Sequence, residues 1–212
     1  MPIKRRVFKS QDIQSVLLDL NTPTVSLINF MRIFKLTKNQ AQRFIREAID
    51  LKILVRLKRG IYYLYVKPPT SFQIANSLVA PSYISLDTAL SYYRIIPENV
   101  YSTTSITPKH TKKFYRMNGE YTYSQINKKL FFGYRKVNIA HKRIVIAEPE
   151  KAFLDYIYFV VRGLRKMNDR FDFSQVNKNK LIVLLPYFRK ELKGVKLKAF
   201  NNLINNILKQ KI

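Results

Sequence analysis

The sequence predicts an α+β protein: a winged helix-turn-helix over residues 1–66, a linker over 67–70, and a mixed α+β domain with a helical C-terminal segment over 71–212. Three observations predict it. Three helix-period stretches precede two short alternating strands within the first 66 residues. The consecutive prolines Pro68 and Pro69 then stiffen the chain. Beyond them β-rich and helix-period stretches alternate, and the chain closes on two helical stretches.

In the first domain Ser10 is the expected N-cap of a helix carrying Ile13, Val16, Leu17 and Leu20 at helical spacing, with Asn21 at its end. A second helix is expected from Val25 to Phe34. Thr37 caps a third, in which Ala41, Phe44, Ile45, Ala48 and Ile49 form one apolar stripe. About 100° per residue then turns Lys38, Asn39, Gln42, Arg43 and Arg46 away from that stripe. These are the side chains that read base edges: Arg bidentate to guanine, Asn or Gln bidentate to adenine. Leu54–Lys58 and Ile61–Val66 alternate as strands about Arg59-Gly60, where glycine tolerates a positive φ. The hairpin is a wing whose Arg56, Lys58 and Arg59 face phosphate, with Lys4, Arg5 and Arg6 as a basic arm. A module of the same shape used only for protein contacts, or a charged helix face that is simply solvated, is the competing reading.

In the second domain Phe72–Leu78 and the stretch 85–93 are expected helices, the latter starting at Ser85 or Asp87. Strands are expected over 100–106, 113–117, 120–125, 129–134 and 142–147. Pro149 opens a helix with Glu148 and Glu150 near its positive end. Ser174–Leu185 and Leu197–Leu208 follow as helices separated by Pro186 and Gly194.

Lys and Arg number 39 against 13 Asp and Glu, a net charge of +26, which makes a polyanion the leading partner class. Both parts share the excess: residues 1–66 hold 13 basic and 4 acidic residues, residues 67–212 hold 26 and 9. With no cysteine, disulfides, thiolate zinc sites and cysteine nucleophiles are excluded, in keeping with a reducing cytoplasm. The longest apolar run, near Tyr156–Val161, is far short of a membrane span. No catalytic set, cofactor or metal site emerges: His110 and His141 have no companion residues, and Glu148 and Glu150 do not match the carboxylate-x-lysine spacing of nucleases relative to Lys151. The hydroxyls of YSTTSIT, 101–107, could bind phosphate on an exposed strand, but an ordinary β-rich strand is the expected reading. Capping or salt bridging is expected of Asp87 and Asp155.

Taken together, RGIYYL at 59–64, SYISLDTALSYYRIIP at 82–97, VYSTTSITP at 100–108 and IAEPEKAFLDYIYF at 146–159 resemble the AbiEi-type antitoxins of abortive-infection, type IV toxin-antitoxin systems. The resemblance implies a non-enzymatic repressor that binds inverted repeats in double-stranded DNA upstream of its own operon. It also implies that the second domain opposes a nucleotidyltransferase toxin without a lasting complex. Two readings from other classes stand beside it: a nuclease-like enzyme with a winged-helix reader, and an interaction module whose basic second domain grips RNA.

Overall fold

The structure, a computed structural model, describes residues 10–209 apart from 118, 140, 141 and 169, without the side chains of 10 and 11. The expected Ser10 cap, the arm Lys4-Arg5-Arg6 and His141 therefore lie outside the described residues and side chains. Among the described residues the chain is mixed α+β, with eight α-helices and two sheets.

It divides into two compact units between Leu78 and Val79. The first contains α1 (Ser10–Asp19), β1 (Val25–Ser26), α2 (Leu27–Phe34), α3 (Lys38–Asp50), β2 (Leu54–Lys58), β3 (Ile61–Leu64) and α4 (Ser71–Leu78). Its core joins Ile13 and Leu17 of α1, Phe30 and Phe34 of α2, Ala41, Ile45 and Ala48 of α3, and Leu54, Tyr62 and Leu64 of the hairpin. The apolar stripe expected on α3 is buried, with Phe44 and Ile49 packed at its margin. One expectation shifts. Val25 and Ser26 are a strand pairing with Tyr62 and Ile61 of β3, and Ser26 then caps α2 by accepting from Asn29 N at 3.1 Å. The short strand was concealed because Val25 fits either period.

The boundary expected at 67–70 falls later in the chain. Pro69 is buried, and Thr70 starts α4 with a reciprocal cap: its N–H donates to Gln73 Oε1 at 3.0 Å while Gln73 N donates to Thr70 Oγ1 at 3.4 Å. The helix is tied to its unit by the Thr24–Ser77 hydroxyl bond, 2.9 Å, and by Lys58 Nζ on the carbonyl of Leu78. A cation at the last carbonyl also complements the helix dipole.

The second unit has β4 (Tyr83–Ile84), α5 (Leu86–Tyr92), β5 (Ser102–Thr107), β6 (Lys112–Arg116), β7 (Gly119–Gln125), β8 (Tyr134–Ile139), β9 (Lys142–Ala147), α6 (Pro149–Val161), α7 (Lys178–Lys190) and α8 (Gly194–Lys209). Its mixed sheet has the order β6-β7-β5-β4-β9-β8, with parallel pairs β5–β7 and β4–β9. The strand expected over 129–134 is corrected: Lys128–Leu130 form a 3-10 turn capped by Asn127, and the strand starts at Tyr134. Gly133, at φ +69°, makes that change of direction; a Cβ there would come within 2.9 Å of the Lys151 side chain. Pro186 lies inside α7 rather than ending a helix. Leu181, Leu185 and Phe188 on both sides of it are buried, so packing of this face outweighs the lost backbone donor.

Candidate nucleic-acid interface

Helix α3 starts at a capping box. Thr37 N donates to Gln40 Oε1 at 2.9 Å, and Gln40 N donates to Thr37 Oγ1 at 3.4 Å. Two of the helix-start donors are thereby satisfied without help from outside the turn. Gln40 is committed to this cap, while Lys38, Asn39, Gln42, Arg43 and Arg46 are all exposed, as their angular positions require. Arg43 lies 3.7 Å from Glu47, one turn on, and its guanidinium sits 5.2 Å from the Phe44 ring. An exposed pair of this length contributes little and is screened by salt, so it does not hold Arg43 back from a phosphate or a base.

The hairpin divides its three cations. Arg56 is exposed and lies over the Tyr62 ring, 6.0 Å from its centroid, and Arg59 is exposed at the turn, where Gly60 adopts φ +79°. Lys58 faces elsewhere. The β2–β3 register shifts between Arg56, opposite Tyr62, and Lys58, opposite Ile61. Such an irregularity re-aims the next side chain, and the half-buried Lys58 ammonium reaches the end of α4. Strict alternation does not anticipate that shift.

In the second unit sequence reasoning named no site, yet a buried charged cluster stands there. Lys151 and Asp155, one turn apart on α6, form an ion pair with both side chains 0% exposed. Asp155 Oδ2 accepts from Ser85 Oγ at 2.9 Å and from the Tyr83 hydroxyl at 3.0 Å; that hydroxyl accepts from Lys151 Nζ at 2.8 Å. The rings of Tyr83, Phe132 and Phe188 surround the ammonium at 5.1–5.4 Å. Burial pushes the Lys151 ammonium down and the Asp155 carboxyl up, each offset in part by the other's charge. Burial also pushes the Tyr83 hydroxyl well up, reinforced by the Asp155 charge. The i, i+4 charged pair in KAFLDYIYF, 151–159, whose other residues are apolar or aromatic, was the available signal. The salt bridging expected of Asp87 is also present, with Arg165.

Four of the hydroxyl residues of YSTTSIT are buried, while Tyr101 is exposed. Thr103, Thr104, Ser105 and Thr107 are buried; Thr104 Oγ1 donates to Ser85 O at 2.6 Å and accepts from Thr88 N at 3.1 Å. They belong to the sheet and to the start of α5. His110 is exposed between β5 and β6. Among the described residues no group of three or more His, Asp or Glu could hold a metal ion, and no helix is long and apolar enough to cross a membrane. No family model matches the chain, and no curated protein gives a significant match.

Proposed function

We propose that the protein is a DNA-binding antitoxin: a winged helix-turn-helix in the first unit represses its own operon, and the second unit opposes a nucleotidyltransferase toxin. The observation that carries the DNA-binding half is the outward face of α3. Asn39, Gln42, Arg43 and Arg46 project together from a helix whose start is closed by its own capping box and whose opposite face is core. Beside it the β2–β3 hairpin presents Arg56 and Arg59. In this reading α3 enters the major groove and the hairpin contacts the flanking phosphates. The antitoxin half rests on the resemblance of 59–64, 82–97, 100–108 and 146–159 to AbiEi-type proteins.

Two measurements test the halves separately. Fluorescence anisotropy with duplex DNA from upstream of the protein's own gene is expected to show specific binding that competitor DNA of random sequence does not displace. Co-expression with the toxin of a neighbouring gene is expected to restore growth. Binding no tighter than to random duplex removes the repressor assignment, and growth arrest despite expression of folded protein removes the antitoxin assignment.

A further inference from the structure

Tyr134 opens β8 with its ring stacked on that of Tyr83, centroids 4.7 Å apart and planes inclined by 17°. Phe131 closes against both rings at 5.2 Å. The ring beneath is fixed: Tyr83 is fully buried, and its hydroxyl is held between Asp155 and Lys151. Tyr134 nevertheless remains 39% exposed. An aromatic surface is thus held ready on a rigid, hydrogen-bonded base, so a second ring stacking upon it loses little further side-chain freedom.

Cations share that face. Alternation along β8 places Lys136 and Asn138 on the same side as Tyr134, and the Asn138–Arg143 register brings Arg143 of β9 to it. Lys136, Asn138 and Arg143 are all exposed. β8 is the last strand of its sheet, and a lysine on an edge strand is commonly protection against pairing with another chain. That accounts for Lys136. It does not account for an open ring mounted on a buried one, because an edge is guarded by charge rather than by exposed aromatic surface.

We infer that this face binds single-stranded nucleic acid. One base stacks on Tyr134, Lys136 and Arg143 meet the phosphates, and Asn138 offers a donor and an acceptor to a base edge. Aromatic stacking combined with a cationic track is the physical basis of single-strand recognition, since an unpaired base exposes a face that a duplex keeps covered. The buried Lys151–Asp155–Tyr83 cluster then acts as the mount of the platform. The inference does not depend on α3 reading duplex DNA.

The test uses the full-length protein and fluorescein-labelled 12-residue oligo(rU) and oligo(dT), read by anisotropy. Tyr134→Ala is expected to weaken binding by about 5- to 150-fold, equivalent to one stacked base. Tyr134→Phe is expected to retain it. The exposed double variant Lys136→Gln/Arg143→Gln, which leaves the aromatic mount intact, is expected to lower the slope of log K against log salt by about 1.4. The tighter of the two oligomers assigns the strand as RNA or DNA. Equal affinity of wild type and Tyr134→Ala, displacement of the oligomers by polyglutamate at equal charge, or an unchanged salt slope in the double variant overturns the inference. Arg43→Ala serves as the control: loss of single-strand binding there would place that binding on α3 and overturn it too.

Discussion

Individual side chains divide into those whose role follows from angular position and those whose role depends on a distant partner. Arg43 and Arg46 are of the first kind: the apolar stripe of α3 already dictates that they face outward. Replacing either by alanine is expected to cost about 1–3 kcal/mol of operator binding if it makes a bidentate base contact, with relaxed preference at one base pair. Anisotropy across a panel of single-base operator variants measures both, and unchanged binding by both folded variants would remove α3 from the groove. Lys151 and Asp155 are of the second kind, since Tyr83 and Ser85 reach Asp155 from some seventy residues earlier in the chain. Spacing alone could suggest the pair but not its burial. Lys151→Met leaves the Asp155 carboxyl without its cation in a dry site and is expected to cost about 3–5 kcal/mol in urea unfolding. Lys151→Met with Asp155→Asn removes both charges and keeps an acceptor for the two hydroxyls. It is expected to be more stable than Lys151→Met alone, because burial opposes both charged forms. A double variant no better than the single would mean that the cost lies in the lost Lys151 bond to the Tyr83 hydroxyl rather than in an unpaired Asp155 charge.

At the scale of elements, those with long, uninterrupted periodicity were legible: α3 from Thr37 onward, α6 from Pro149, and the β2–β3 hairpin about Gly60. Elements of two residues were not. β1 and β4 exist because a partner strand lies beside them, and two residues carry no period of their own. The irregular register of β2 is the consequential case, since it takes Lys58 out of the set that alternation assigns to phosphate. Neutralising Arg56 and Arg59 is therefore expected to reduce the salt slope of operator binding by about 1.8, near 0.9 for each phosphate contact. Lys58→Met should leave the slope unchanged while lowering stability by about 1–3 kcal/mol through loss of its bond to the end of α4. A slope that falls with Lys58→Met would return that residue to the interface.

For the whole molecule, composition pointed to a globular, polyanion-binding chain, and the change in pattern near Pro68 pointed to two parts. The position of the division was beyond it, because the bonds that assign α4 to the first unit come from Thr24 and Lys58. Fragments cut after Leu78 are thus expected to outperform those cut after Thr70. Residues 1–78 should unfold at higher urea concentration than residues 1–70 and bind operator DNA without protecting cells from the toxin. Residues 79–212 should protect without repressing a promoter reporter. Protection by residues 1–78, or its absence with a folded second fragment, would overturn that separation. The two units also differ in when they can form. Every strand pair of the first unit lies within the stretch Val25–Leu64, whereas β4 is enclosed between β5 and β9, and Ile84 finds its parallel partner only at Ile146. Such long-range closure is slow, and a chain emerging from the ribosome completes its earlier unit first. The strand pairs of the proposed DNA reader are therefore expected to close on the nascent chain while the second sheet still awaits β9, so that under the proposed function the capacity to repress would precede the capacity to protect.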